Sequence, residues 1–425
     1  MFGSFFVLVE CVFLKIRQHQ HKTLLSTLVR NAGSYTEEFM SDETFIKNVL
    51  KLHAYQNIPL SYEDAYELGC YALKGCHGDT DAQIQSIVAL SALHTKATYA
   101  YRPGRDGTLP QNAAEQIAGI CAAIFEHDIG ASEFGFLKPN VPYVMDNCGM
   151  GGDLIVTANV STIAAFIAAA YGIHMCKHGS PANADKGHYG SSDFIEVCGI
   201  STVKTREEVE ASVEQTCFGY TEALDQHYKR IHMQTHNVAK VPHMNDIIGP
   251  ITNPVDPKLM TRRVLGVNHL IPVEIVAEVY RILNERGITN MEHAIMMRGF
   301  GDVYQGAEGM DELSICKGGT DIAELLPSGE IKKRHIEASA FGLTPVPSAS
   351  ISPPSDVKKG DFSLQILEGK VNGPALQMVL ANASLLLYLA GHSNNLRDCY
   401  EQAKEIHTSG LATKKLREVR LMLPR

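Results

Sequence analysis

Apolar residues fall along this chain in two alternating rhythms. Residues 42–52 carry Phe45, Ile46, Val49, Leu50 and Leu52 at helical spacing, and Pro59 stops the pattern. Ser61 then caps a second helix, with Asp64 as its capping-box partner. Residues 79–96 form a third, with Ile84, Ile87, Val88 and Leu93 on its apolar positions. Beyond the turn-rich residues 101–107 a helix runs from about 110 to 127. Short apolar runs suited to buried strands then alternate with helices. Tyr143-Val144-Met145 is a strand, a helix runs from near Ser161 to Gly172, and residues 173–176 are a second strand. Residues 193–199 predict a short helix, and Thr205 and Glu208 form a capping box before another that ends near Gly219. Further on come a strand at 264–267, a helix opened by Pro272 and closed by Gly287, and a strand at 294–297 followed by Arg298-Gly299-Phe300-Gly301-Asp302. The Ser- and Pro-rich residues 339–360 predict a surface loop, and 376–389 and 396–407 are helices. No repeat is present. The alternation predicts an α/β fold with a central, largely parallel sheet and helices on both faces, after an all-helical start.

The pattern is densest in chemistry between Asp146 and Asp193. The first strand runs into a turn with Gly149, Gly151 and Gly152, closed by Asp153. Glycine brings backbone N–H groups close to a ligand and accepts positive φ. Asn159, Ser161 and Thr162 supply cap-type residues at the start of the next helix. Its N-terminus faces the glycine turn, a geometry that binds phosphate. Lys177, followed by His178 and Gly179 after the second strand, adds a point charge for the same anion. This is neither the P-loop pattern nor the GxGxxG dinucleotide fingerprint.

Composition narrows the class. The chain has 425 residues, 45% hydrophobic and 20% charged, an ordinary globular balance with room for two or three domains. A net charge of −9 gives no global basic field and argues against nucleic acid as a partner. Ten cysteines without a CxxC pair read as reduced thiols of a cytosolic protein. No segment reaches the roughly 20 apolar residues of a membrane span. Phe2 to Leu14 is mostly apolar, but its basic residues follow it, the reverse of a secretory signal. The basic end, Lys414-Lys415-Leu416-Arg417, reads as a solvated last turn.

Gly149-x-Gly151-Gly152-Asp153, Asn159-x-Ser161-Thr162, Lys177-His178-Gly179, Gly190-Ser191-x-Asp193, Gly249-Pro250-x-x-Asn253-Pro254 and Asp311-Glu312 together resemble anthranilate phosphoribosyltransferase and its relatives, from about Leu60 to the C-terminal helices. The superfamily also contains the pyrimidine nucleoside phosphorylases. The resemblance implies a pentosyltransferase of tryptophan biosynthesis that uses phosphoribosyl diphosphate (PRPP), Mg2+ and an aromatic or heterocyclic amine, and that works as a homodimer. It implies three parts: an extension at 1–40, a small helical domain at 41–108 joined by helices from about 220–245, and an α/β domain at 109–425 that binds PRPP. In the family the acidic pair and the Ser of Asn-x-Ser-Thr hold magnesium, which maps onto Ser161, Asp311 and Glu312. Gly149, Gly151, Gly152, Asp153, Asn159, Thr162 and Lys177 map onto donor contacts, and His178, Gly179 and Ser180 onto the remaining substrate site. The 249–254 segment reads as a rigid turn.

The acceptor half departs from the family. Where the family has Asn after Lys-His-Gly this chain has Ser180, followed by Pro181, Ala184 and Asp185 in place of a Ser-Ser pair. The family's arginine for the acceptor carboxylate falls at His236-Asn237, with Arg230 nearby. His232 and His236 have a spacing that also suits zinc on a helix, without a third ligand close in sequence. These departures leave the acceptor open. Two alternatives stand beside the transferase: a nucleoside phosphorylase, and a nucleic-acid-binding or regulatory protein on an inactive transferase scaffold.

Overall fold

The computed structural model describes residues 59–76, 78–99, 113–179, 190–221, 231, 244–268 and 271–425. All of these lie in the unit Ile46–Arg425. The helix at 42–52, the loop at 101–107, Ser180, Asp185, Arg230, His232 and His236 lie outside the described residues.

Eight strands form one sheet in the order β3-β2-β1-β4-β5-β7-β8, with β6 beside β5. They are β1 (Val144–Gly149), β2 (Met175–Lys177), β3 (Phe218–Tyr220), β4 (Met260–Gly266), β5 (His293–Phe300), β6 (Gly309–Met310), β7 (Thr320–Leu325) and β8 (Ile331–Ile336). β1 to β5 are mutually parallel, and β6, β7 and β8 join antiparallel. This is the predicted largely parallel sheet. From β1 the chain winds outward through β2 to β3, then returns to β4 on the other side of β1 and winds the opposite way. The gap between the ends of β1 and β4 is therefore the point where the winding reverses, which is where open α/β sheets hold ligands.

Helices cover both faces. α1 (Tyr62–Cys76), α2 (Thr80–Tyr99) and α3 (Ala113–Ala123) form the helical start, and α3 runs on as a π-turn to Gly130. The Ser61–Asp64 capping box is present, with Asp64 N–H donating to Ser61 Oγ at 3.1 Å. α1 and α3 cross closely because glycines stand at the contact: a Cβ on Gly119 would lie 2.3 Å from the Tyr62 carbonyl oxygen. On α2 the expectation for Ile84 and Val88 fails. They are 57% and 52% exposed, while the small Ala82, Ser86 and Ala89, with Leu90 and Leu93, face inward. Close packing there selects small side chains over large ones.

α4 (Val160–Tyr171) is apolar all round and buried between the sheet and α10 (Pro374–Leu389), as such a helix must be. Gly172 at φ +106 ends α4 in the left-handed conformation the sequence pattern requires. Between them come α5 (Ser191–Val197), α6 (Arg206–Thr216), α7 (Asn245–Ile251), α8 (Val273–Glu285) and α9 (Lys359–Leu367); α11 (Leu396–Thr408) and α12 (Leu411–Met422) close the chain. α6 has its Thr205–Glu208 box but ends at Thr216, because Gly219 lies inside β3. Arg298, Gly299 and Phe300 extend β5 rather than follow it. The 249–254 segment, read as a turn, contains the end of α7. Within 339–360, Phe341 and Ile351 are each 1% exposed, so this loop is pinned to the core. No helix of the described residues is long and apolar enough to cross a membrane.

Candidate functional site

Three strands end in glycine or near it, and all three glycines leave room for one segment. A Cβ on Gly149 of β1 would lie 1.8 Å from Asp311 Oδ2. On Gly266 of β4 it would lie 1.5 Å from the Asp311 carbonyl oxygen, and on Gly299 of β5, 2.3 Å from that of Glu312. Asp311 and Glu312 thus rest in a trough across the ends of β1, β4 and β5. The glycine turn closes over them. Gly151 and Gly152 have φ of +75° and +84°. The Gly151 N–H donates to Asp311 Oδ2 at 2.6 Å, and the Asp311 N–H donates to Asp153 Oδ1 at 2.7 Å.

The result is a cluster of three carboxylates, Asp153, Asp311 and Glu312, whose nearest oxygens lie within 4.8 Å of one another. Thr157 Oγ1 donates to Glu312 Oε2 at 2.8 Å. Burial, and then the Asp311 charge, push Glu312 up to about 8. Burial, and then Asp311 and Glu312, hold Asp153 well above the ordinary carboxylate range. Buried like charges are stable only with protons or a cation between them. An all-oxygen donor set of this kind fits a hard divalent ion such as Mg2+. Asp153, placed by sequence among the donor contacts, stands with the acidic pair. Ser161 sits in the first turn of α4, where its carbonyl accepts from Asn147 Nδ2 at 2.7 Å.

Opposite the carboxylates lies the start of α4. Asn159 is its cap residue, yet its side chain makes no bond to the helix. Instead Asn159 Nδ2 donates to the Gly190 carbonyl at 3.1 Å, and its Oδ1 accepts from Ser363 Oγ of α9 at 3.0 Å. The Val160 N–H donates to the Ala158 carbonyl at 2.8 Å, and the helix dipole favours an anion at the first-turn N–H groups that follow it. Thr162 in the same turn is wholly buried, and among the described residues its hydroxyl has no partner.

Lys177 ends β2 with no exposed surface. Its ammonium donates to the His178 carbonyl, and burial lowers its pKa, which Asp146 partly opposes. The His178 N–H donates to Asp146 Oδ1 at 2.8 Å. Gly179 passes so close to the next layer that a Cβ would sit 2.6 Å from Ser191 Cβ.

Beneath this lies a pair that sequence reasoning missed. Asp146 and Arg263, register partners on β1 and β4, form an ion pair at 2.7 Å with neither side chain exposed. Arg263 also donates to the carbonyls of Pro250 and Ile251 at the end of α7. One ion pair thus ties together β1, β4, the Lys177–Gly179 loop and the 249–254 segment. The available signal was a charged residue directly beside each apolar strand run.

Residues 141–413 match the family described as "Glycosyl transferase family, a/b domain". The anthranilate phosphoribosyltransferase of Thiobacillus denitrificans is 32% identical over 278 residues, covering 65% of this chain and 75% of that protein. This chain belongs to the anthranilate phosphoribosyltransferase family. It is by membership a pentosyltransferase, a glycosyltransferase of the kind the sequence motifs implied. The family member of Nitrosomonas europaea is 30% identical over 279 residues, 65% of this chain and 76% of that one. Among solved structures, the anthranilate phosphoribosyltransferase of Saccharomyces cerevisiae in complex with PRPP and Mg has the same fold. The TM-score is 0.68 at 22% identity, over 91% of this chain and 99% of that chain.

Proposed function

We propose that this protein transfers a phosphoribosyl group from PRPP to an aromatic or heterocyclic amine, with anthranilate the first acceptor to test and Mg2+ on the diphosphate. The observation that carries this reading is the three-carboxylate cluster set beside the glycine turn and across from Lys177 and the start of α4. A yeast relative of the same fold is described in complex with PRPP and Mg. A nucleoside phosphorylase would hold one free phosphate and would gain nothing from three buried acids. Asp311 and Glu312, with Ser161 of α4 and with Asp153 beside them, would hold the metal, which would supply charge neutralisation on the leaving diphosphate.

The chain's own groups do the rest. N–H groups of the glycine turn and of α4, with Lys177, bind and orient the donor, and the buried setting strengthens each contact. The amine nitrogen bonds to the anomeric carbon as the bond from that carbon to the diphosphate oxygen breaks. The leaving group departs as pyrophosphate, and the amine gives up a proton. We also read α1 to α3 as the small helical domain, the chain as cytoplasmic, and the active form as a homodimer; light scattering on the purified protein tests the last.

The deciding assay is pyrophosphate release with PRPP and Mg2+, with and without anthranilate. Release coupled to anthranilate consumption supports the full reading. Donor binding without release supports the transferase and moves the acceptor to another amine. Absence of Mg2+-dependent donor binding overturns it.

A further inference from the structure

α9 was invisible in the sequence pattern, and it meets the donor site. Ser363 of α9 is wholly buried. Its hydroxyl accepts from the Asn159 N–H at 2.9 Å, lies 3.0 Å from Asn159 Oδ1 and 2.7 Å from the Lys359 carbonyl. Asn159 is the cap residue of α4, so Ser363 fixes both the backbone and the side chain of the residue that opens this helix. Lys359 lies four residues before Ser363, on the same face of α9. It is half-buried, and among the described residues its ammonium joins no ion pair. Its charge acts on Glu312, together with that of Lys177. Lys359 therefore stands one turn from Ser363, on the face of α9 that meets the start of α4. Three carboxylates outweigh one divalent cation, so a diphosphate held there needs further positive charge, which an ammonium supplies.

We propose that α9 is a wall of the donor site, with Lys359 binding the phosphate groups of the donor and Ser363 acting as the positioning residue for Asn159. This inference rests on the transferase reading above. It is tested on the full chain by calorimetric titration of PRPP in the presence of Mg2+, together with steady-state kinetics. Lys359→Met raises the donor Kd and KM about tenfold, the size of one charge-assisted contact, while its Tm stays at the wild-type value. Lys359→Arg restores most of the affinity. Ser363→Ala raises the KM for PRPP and lowers kcat, while the KM for the acceptor stays constant, a split that a merely structural role would not give. Wild-type donor affinity in Lys359→Met overturns this inference and leaves the transferase reading intact. Absence of donor binding by the wild-type chain overturns both.

Discussion

Gly149→Ala is the smallest change that tests how the metal site is built. The substitution adds one methyl group and needs no unusual backbone angle, since Gly149 is not among the positive-φ glycines. The new Cβ would stand 1.8 Å from Asp311 Oδ2, whereas ordinary contact begins near 3.4 Å. The carboxylate must therefore retreat by about 1.6 Å. Metal–oxygen distances tolerate only about 0.2 Å, so Asp311 ceases to be a ligand. The same movement breaks the 2.6 Å bond from the Gly151 N–H and loosens the glycine turn. Loss of groups that merely orient ligands costs roughly 10–100-fold in metal affinity, and loss of a ligand costs at least as much. We expect Mg2+-dependent PRPP affinity to fall about 100-fold, while Tm falls by only a few degrees, because crowding at one site costs about 1–3 kcal/mol. The check is calorimetry on Gly149→Ala, Asp311→Ala and the double variant. Both single changes remove the same ligand, so the double variant should bind no worse than Asp311→Ala alone. Wild-type affinity in Gly149→Ala, or losses that multiply in the double variant, would refute the reasoning.

Three further outcomes follow from the geometry. Glu312 has a folded-state pKa of about 8 against an ordinary 4.5, so between these values the metal-free folded chain holds more protons than the unfolded chain. Its stability therefore falls as pH rises through that window, and Mg2+ affinity weakens by about tenfold per unit as pH drops below 8, which calorimetry at pH 6, 7 and 8.5 will read. Arg263→Met leaves Asp146 charged and buried and should cost about 3–5 kcal/mol in urea unfolding. Adding Asp146→Leu recovers part of this, the shortfall being the His178 N–H left without its acceptor. Gly119→Ala drives a methyl group against the Tyr62 carbonyl and lowers stability by about 1–3 kcal/mol, with PRPP affinity unchanged; a drop in affinity would mean that the α1–α3 packing reaches the site.

What the sequence disclosed was local. The β1–turn–α4–β2 unit could be read because caps, glycine stops and apolar runs act within a few residues of themselves, as at Gly172. β8 went unread because four successive exposed residues, Lys332 to His335, mask the strand, although charges on an edge strand are a common guard against stray pairing. α7 was hidden by Pro250 inside its last turn. The site was half legible. Its residue types were visible, but the grouping of Asp153 with Asp311 depends on a bond spanning 158 residues. The roles of Arg263 and Ser363 likewise depend on partners that no local pattern names. Residues at strand ends meet through the topology of the sheet, and periodicity carries no information about that.

The reversal of winding between β1 and β4 also sets when the site comes into being. During synthesis the glycine turn and α4 emerge early, yet the carboxylates that complete them are more than 150 residues behind, and α9 is later still. Long-range pairing of this sort forms late in folding. Donor and metal would therefore bind only chains whose two sheet wings have already closed on each other. Because such ligands stabilise by mass action, the cellular supply of phosphoribosyl donor would act as a selective stabiliser of finished molecules and leave nascent ones unprotected.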